Sequence, residues 1–187
     1  MTYVKVSIPK ASDGAGAPTI KDATVILICV EDVASEPVRS HGDTVITGDI
    51  TMKEGAVAIG IYATPSSINP IRESNGDADA RSLLKGLEFD HPGDSDAIES
   101  FIEANLNKGF IALYKECDGS ANGRVRMVGS KCNPLNLAPE YTNSNEATRN
   151  HVVLRQEQGD KFAIATYTGA MPTLAGDSSN ENEEEGS

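Results

Sequence analysis

The sequence predicts a mainly β fold, a β-sandwich or barrel with one flanking α-helix. Short segments rich in β-branched residues recur along the 187 residues, and Gly-, Pro- and Asp-rich turns separate them, which is typical of strands. One stretch alone, near residues 96–108, has the apolar spacing of an amphipathic helix. About eight or nine strands and one helix then fit a sandwich or barrel on which the helix packs.

The first third of the chain predicts strands joined by loops and turns. Residues 3–8 alternate apolar and polar side chains and predict a short strand, which a Gly- and Pro-rich loop follows. Residues 23–30, ATVILICV, have no helical period and predict a well-buried strand. Residues 45–52 and 56–64 predict two more strands, and the intervening residues 53–55 predict a hairpin-type turn.

Residues 65–79, PSSINPIRESNGDAD, predict a long polar loop. The segment contains two prolines and shows no hydrophobic period. Loops of more than about 12–15 residues are uncommon in a compact domain, and most of them carry function or are mobile. A solvent-exposed linker and a contact arm are equally good interpretations of this one.

Residues 84–117 predict a strand, a turn, the helix and a second strand. Ser95 and the aspartates on either side of it are candidate N-cap residues, and Glu99 is placed for a capping box. Gly109 is expected at the C′ position. We expect the helix to cover the outer face of one sheet. The residues predicted to pack it there, spaced i, i+3, i+4 and i+8, are Ile98, Phe101, Ile102 and Leu106.

The chain after the helix predicts β-structure again. Residues 110–117 and 124–128 predict a hairpin around a turn cluster at 118–123. Residues 133–145 predict a loop. The last two strands, residues 151–156 and 162–167, are expected to form a hairpin at Gly159-Asp160.

Composition limits both the organisation and the class of function. We expect one domain over residues 1–174 and a disordered acidic tail at 175–187. The net charge of −12 and pI near 4.6 argue against wrapping of nucleic acid through phosphate contacts. Three scattered cysteines argue against a disulfide framework and a zinc site. Because no apolar targeting segment or long apolar run is present, we expect neither export nor membrane insertion.

No motif for catalysis or cofactor binding stands out. His91 lies among Asp90, Asp94 and Asp96, but helix capping and a turn explain these carboxylates better than a metal site. Residues 82–85, SLLK, match the SxxK nucleophile pattern without its companion motifs. We therefore predict no enzymatic activity, no cofactor and no metal, although a Ser-His-Asp triad assembled in space is left open.

The order of elements from residue 87 onward resembles phage tail tube (major tail) proteins. The matching segments are the strand leading into LEFDHPGDSDAIESFI, the strand GFIALYKEC, and the hairpin and Pro-containing connection that follow. NSNEATRNHVVLRQEQGDKFAIATYTGAMP is similar to the family's closing hairpin, which ends near a Tyr-x-Gly and a proline. Here these residues are Tyr167, Gly169 and Pro172.

The resemblance implies a structural protein of the virion tail that assembles in the host cytoplasm. In that family six copies close a ring by joining their sheets into an inner barrel, and rings stack into a tube through which DNA passes. The tubes of contractile injection and type VI secretion systems share the fold. Further expected partners are terminator, tape measure and baseplate or tip proteins. A long loop usually reaches the neighbouring ring, and the residues expected to do so here are Pro65, Ile68, Asn69, Pro70, Ile71, Arg72 and Glu73.

The alternative function is a monomeric or trimeric β-sandwich accessory or decoration protein of a capsid or tail. A closed ring is favoured because it pairs the strand edges that a monomer has to protect. Carboxylates lining the lumen would also repel DNA from the wall. A hydrolase on the same fold has no motif in its support.

Overall fold

The computed structural model describes residues 5–9, 16–117, 123–144 and 147–176. These residues contain thirteen strands and one α-helix, α1 (Asp96–Asn105), which lies between the seventh and eighth strands. The fold is mainly β with one helix, as the sequence predicts. The strands are β1 (Ile20–Cys29), β2 (Val33–Ser35), β3 (Val45–Ile46), β4 (Thr51–Met52), β5 (Ile59–Tyr62), β6 (Asn69–Asn75), β7 (Ser82–Pro92), β8 (Gly109–Cys117), β9 (Arg124–Val128), β10 (Leu135–Leu137), β11 (Glu140–Asn143), β12 (Thr148–Arg155) and β13 (Ala165–Tyr167).

Eleven of the strands form two layers that β10 joins. The first sheet has the order β5-β1-β8-β9-β13-β3, and its pairs are antiparallel except for β13 and β3. The second sheet has the order β6-β7-β12, and both β11 and β10 pair with β12. Because β10 also pairs with the start of β8, it closes one side of the sandwich.

Successive side chains of a strand point to opposite faces of its sheet, and one face of each sheet packs into a common core. Val25 of β1 and Phe110 of β8 are buried there with Leu87 and Phe89 of β7 and Leu154 of β12. The opposite face of the first sheet is buried as well. It is covered by the segment between β1 and β5, which includes the two-stranded sheet β2-β4. This second cluster consists of Ile26, Ile28, Val33, Ile46, Ile50, Ala58, Ile111, Leu113, Met127, Ala165 and Tyr167.

The helix packs against the core between the sheets, so the prediction that it covers an outer face is wrong. Ile98 is 5% exposed, and Phe101 and Ile102 contact the inter-sheet core. The rings of Phe101 and Phe110 lie 6.2 Å apart between centroids. Leu106 is 48% exposed, and the prediction fails for it because the helix ends at Asn105 before the stripe reaches it.

The ends of the helix also differ from the prediction. Ser95 is the N-cap residue, and its carbonyl accepts the backbone N–H groups of Ile98 and Glu99 at 3.1 and 3.3 Å. Its side chain makes no capping hydrogen bond with any described residue, so the capping box is not formed. Gly109 begins β8 and is not a C′ residue. A Cβ there would lie 2.8 Å from Pro134, so close packing is what requires glycine.

Two predicted loops contain strands. Residues 69–75, within the predicted loop 65–79, form β6 and pair with β7 over their whole length. Residues 133–145 include β10 and β11, and all four residues of β11 are exposed. An exposed strand needs no apolar alternation, because neither of its faces is buried. The hydrophobic pattern therefore carried no signal for β6 or β11.

Two predicted hairpins do not form. After the turn at residues 53–55 the chain passes from β4, which pairs with β2, to β5, which pairs with β1. After Gly159-Asp160 it leaves the second sheet, and β13 pairs with β9 and β3 in the first. Turn residues predict that the chain reverses, whereas the strand it meets next depends on long-range packing. The predicted β8–β9 hairpin is confirmed.

Three predictions fall partly or largely outside the described residues. They concern the strand at 3–8, the turn cluster at 118–123 and the acidic tail at 175–187. The described part of the first segment, residues 5–8, forms no strand. Its apolar side chains are in solvent, with Val6 70% and Ile8 93% exposed.

Candidate functional site

The face of the second sheet that points away from the core is mainly polar, although the register also places Ile71, Leu84 and Val153 on it. Lys85, Leu87 and Phe89 of β7 are buried, so the alternate residues Glu88 and Asp90 point outward. The register of the sheet extends this face across the neighbouring strands. Its charged or titratable residues are Glu73, Glu88, Asp90, Glu140, Arg149, His151 and Arg155.

Ion pairs between β7 and β12 cross the middle of this face. Arg155 Nη2 lies 2.6 Å from Glu88 Oε1, and Arg149 Nη1 lies 2.9 Å from Asp90 Oδ2. His151 Nδ1 lies 2.7 Å from the other oxygen of Asp90. Such exposed pairs contribute at most about 1 kcal/mol each, so their main effect is on the charge pattern of the face.

The charge of the face is negative overall. Its described residues supply four carboxylates against two guanidinium groups. The hydrogen bond to Glu88 raises the pKa of Arg155, and the nearby carboxylates of Glu73 and Glu140 add to the shift. Arg155 is thus within the electrostatic field of three carboxylates, and these lie on β6, β7 and β11.

Strands with an open edge border this face on both sides. Among the described residues β6 pairs only with β7, and β11 pairs only with β12. Five of the seven residues of β6 and all four of β11 are exposed. Each edge presents backbone N–H and C=O groups, which are a template for pairing with another chain.

No protein-family model, curated protein or solved structure matches this chain.

The structure separates the residues predicted to form the contact arm. Pro65 begins a short 3-10 turn. Ile68 is 2% exposed and belongs to the inter-sheet core, so it anchors the arm and offers no contact surface. The other five lie on β6, at the open edge. They are Asn69, Pro70, Ile71, Arg72 and Glu73.

A buried polar cluster lies at the other end of β7. Lys85, 5% exposed at its side chain, forms an ion pair with Asp160 and donates to the carbonyl of Phe162 at 2.8 Å. Asn133 Nδ2 donates to Asp160 Oδ2 at 3.0 Å. The backbone N–H of Lys85 donates to Gln156 Oε1 at 3.2 Å. The only signal of this cluster in the sequence is Lys85 itself, a lysine at an inward position of an apolar strand.

Burial and hydrogen bonding act on the two charged groups of this cluster differently. Burial lowers the pKa of Lys85, although the hydrogen bond to Asp160 opposes this. Burial by itself would raise the pKa of Asp160. Hydrogen bonds from Lys85, from the Phe162 N–H and from Asn133 outweigh that effect and hold the pKa of Asp160 below its usual value.

A cavity of about 250 Å³ adjoins the cluster. The Arg39 guanidinium lies over the Phe162 ring at 5.1 Å, and its Nη1 donates to the Ala163 carbonyl at 2.7 Å. The lining residues are Glu36, Pro37, Val38, Arg39, Ile46, Lys85, Met127, Gly129, Ser130, Cys132, Asp160, Phe162 and Ala163. Lys85 and Asp160 form their ion pair at the wall of this cavity.

The residues of the other motifs in the sequence make hydrogen bonds within the fold or point to different faces of a strand. The SxxK pattern lies on β7, where Ser82 and Lys85 point to opposite faces of the strand. His91 Nδ1 lies 2.9 Å from the Tyr62 carbonyl oxygen, and Asp94 accepts a hydrogen bond from the Tyr141 hydroxyl at 3.2 Å. The described residues contain no group of His, Cys, Asp or Glu placed to hold a metal ion. They also form no helix long and apolar enough to cross a membrane.

Proposed function

We propose that this chain is a structural tail tube protein whose copies close into hexameric rings, and that the rings stack into a hollow tube for DNA. The observation that carries the proposal is the pair of open strands, β6 and β11, on opposite sides of the second sheet. A surface that pairs one edge with the other edge of the next copy is heterologous, and such surfaces close into rings when the rotation permits.

Strand direction supports this contact. The pairs β6–β7, β7–β12 and β12–β11 are all antiparallel, so β6 and β11 run in opposite directions. Rotation about an axis roughly along the strands preserves direction, and β11 of one copy would therefore meet β6 of the next in an antiparallel pair. The second sheets would continue around the ring as one barrel without edges.

Charge supports the same arrangement. In such a barrel the polar face of the second sheet lines the lumen, because the opposite face is buried in the core. Each copy then contributes four carboxylates and two arginines to the wall. The surplus of negative charge repels the phosphates of DNA, so a duplex can move along the wall without being held.

The resemblance to tail tube proteins supplies the rest of the proposal. It contributes the number of copies in a ring, the stacking into a tail, and the tail partners such as terminator, tape measure and baseplate or tip proteins. The order of strand, helix and strand from β7 to β8 agrees with that resemblance, whereas the closing hairpin on which it also depends does not form.

The second candidate is a monomeric or trimeric decoration protein, and one observation favours it. β6 carries Pro70 and the charged residues Arg72 and Glu73. Proline and charge on an edge strand are common means of keeping monomers from pairing. The oligomeric state of the purified protein separates the two candidates.

We expect hollow rings or tubes in negative-stain images, and a hexamer or larger species in light scattering. Arg72→Pro and Glu73→Pro provide the matched test of the interface. Consecutive N–H groups on an edge strand point alternately toward and away from its neighbour, so one of these prolines spares the pairing with β7. The variant that keeps the melting temperature of the parent should lose the rings. Persistent monomers of the parent at high concentration would contradict the proposal and favour the second candidate.

A further inference from the structure

Arg39 is a half-buried cation at the wall of the cavity beside Phe162. Its guanidinium lies over the Phe162 ring, 5.1 Å from the ring centroid. Its Nε and Nη1 donate to the backbone carbonyls of Asp43 and Ala163, both at 2.7 Å. These acceptors are neutral, and none of the ion pairs between described residues includes Arg39.

The carboxylates near Arg39 are engaged by other groups. Burial lowers the pKa of Arg39, and Asp160 and Asp43 oppose this shift through their charge. Asp160 accepts hydrogen bonds from Lys85 and Asn133, and Asp43 accepts one from a backbone N–H. A guanidinium has five donors and keeps its charge in proteins. The charge and the remaining donors of Arg39 are therefore available to an anion.

Lys85 is a second cation at the same wall. Two of the three donors of its ammonium are used within the buried cluster. Burial, and to a smaller degree the charge of Arg39, lowers the pKa of Lys85. The two cations thus repel each other, and an anion held between them would relieve the repulsion. Glu36, which also lines the cavity, accepts a hydrogen bond from the Lys131 N–H at 2.9 Å.

Apolar side chains form much of the remaining wall. They include Ile46, Met127 and Phe162, and the cavity has a volume of about 250 Å³. An apolar cavity of about 150 Å³ accepts benzene, so this one has room for a benzene ring and a short acidic group. Val38 belongs to the lining and is 98% exposed, which places it at an opening to the solvent. Apolar walls with a few polar groups are typical of sites for small molecules.

We propose that this cavity binds a small carboxylic acid with an apolar body, of about the size of phenylacetate. The carboxylate accepts hydrogen bonds from Arg39 and from the third donor of Lys85, and the body lies against the apolar wall. A singly charged acid is favoured over a phosphate dianion, because Glu36 and Asp160 line the same cavity. The site goes beyond the proposed function, since Lys85 points to the core side of β7 and away from the polar face.

Alkylation by iodoacetamide measures the occupancy of the cavity, because Cys132 lines it and is an exposed free cysteine. Cys117 is also exposed and free but is not part of the lining, so it is the internal control. Peptide mass spectrometry follows both thiols in one sample. We expect a Kd of about 1 mM or below for a ligand of about ten non-hydrogen atoms. About 10 mM phenylacetate should therefore slow the alkylation of Cys132 several-fold and leave that of Cys117 unchanged.

Two matched ligands separate the contribution of the charge from that of the apolar body. Phenylacetamide keeps the ring and loses the charge, whereas acetate keeps the charge and loses the ring. Isothermal titration calorimetry should show that each binds the parent protein at least about tenfold more weakly than phenylacetate.

Two matched variants test the cation. Arg39→Gln should weaken the binding of phenylacetate about tenfold or more and leave that of phenylacetamide nearly unchanged. Arg72→Gln removes an exposed arginine on β6 and should bind phenylacetate like the parent. The melting temperature shows whether Arg39→Gln is folded. If it is not, the three ligands on the parent protein decide the question.

The outcomes that would overturn the proposal are distinct from those that bear on the tube. Alkylation of Cys132 that phenylacetate does not slow, or equal affinities for phenylacetate and phenylacetamide, would overturn the site. A folded Arg39→Gln variant that binds phenylacetate as tightly as the parent would do the same. Tubes that form from a protein without this binding would leave the proposed function standing.

Discussion

At the scale of single residues, the cluster around the ion pair of Lys85 and Asp160 holds together β7, the residues before β10 and the residues after β12. Lys85 belongs to β7 in the second sheet, and Asp160 lies where the chain leaves that sheet for the first one. Asn133 and Gln156 donate to the same carboxylate. The sequence assigns Asp160 to a hairpin turn. Nothing close to it in the chain indicates a partner 75 residues away.

We predict that Asp160→Asn lowers the free energy of unfolding at pH 7 by about 3 kcal/mol, because it leaves a buried lysine without its counter-charge. The pKa of Asp160 is lower in the folded than in the unfolded chain. Its stabilisation is therefore complete above the unfolded pKa of about 4 and is lost as the pH falls through the folded value. Urea titrations should show the difference between variant and parent shrinking from pH 5 to pH 3.

The matched control for this prediction is Asp79→Asn, which removes the same charge from an exposed position. It should change the free energy of unfolding by less than about 0.5 kcal/mol at either pH. A difference between Asp160→Asn and the parent that stays constant from pH 3 to pH 7 would contradict the assigned role of the carboxylate.

At the scale of elements, local signals decide what the sequence predicts. The helix has a cap residue, an apolar stripe and a preceding turn within a few positions of each other, so its existence and start could be predicted. β6 and β11 have no buried face and so no period. The sequence does single out the segment of β6 as a contact arm, but it predicts a loop there. That the arm is an edge strand depends on pairing with β7, which a pattern within the segment does not contain.

The helix offers a test with two aliphatic residues of the same predicted stripe. Ile98→Ala should lower the free energy of unfolding by about 2–4 kcal/mol, because it leaves a cavity at a buried position of the helix. Leu106→Ala should cost less than about 0.5 kcal/mol, since that side chain is half exposed beyond the end of the helix. Urea denaturation followed by circular dichroism measures both. Equal losses would show that Leu106 is packed in solution.

At the scale of the whole molecule, the two sheets have different surroundings. The first sheet is buried on both faces, and the second is buried on one face only. The broad polar face with open edges therefore belongs to the second sheet alone. The sequence predicts the sandwich, but the choice of the exposed sheet depends on the segment between β1 and β5, which covers the other one.

The charge of this face can be reversed without touching its central ion pairs. Glu73→Lys with Glu140→Lys changes the surplus of each copy from two negative to two positive charges. We predict that tubes of this variant retain short DNA duplexes at low salt, whereas parent tubes do not, and that the retention falls steeply between 50 and 200 mM salt, by about 10³-fold or more. Co-sedimentation of labelled duplex with tubes measures it.

The control for charge itself is Glu54→Lys with Glu103→Lys, two exposed acids that lie off the polar face. Its tubes should resemble the parent in DNA retention, and microscopy should first show that all three proteins assemble alike. Equal retention by both double variants would mean that net charge, and not the polar face, governs the retention of DNA.

The cover over the first sheet has a practical consequence. It places a third layer between the β-sandwich and the solvent, so that its turn at residues 54–55 is separated from the polar face by two sheets. Peptide tags or fluorescent domains fused at this turn would decorate the outside of the proposed tube. The lumen and the contacts between copies would be unchanged. The protein would then be a scaffold whose exterior can be modified independently of its interior.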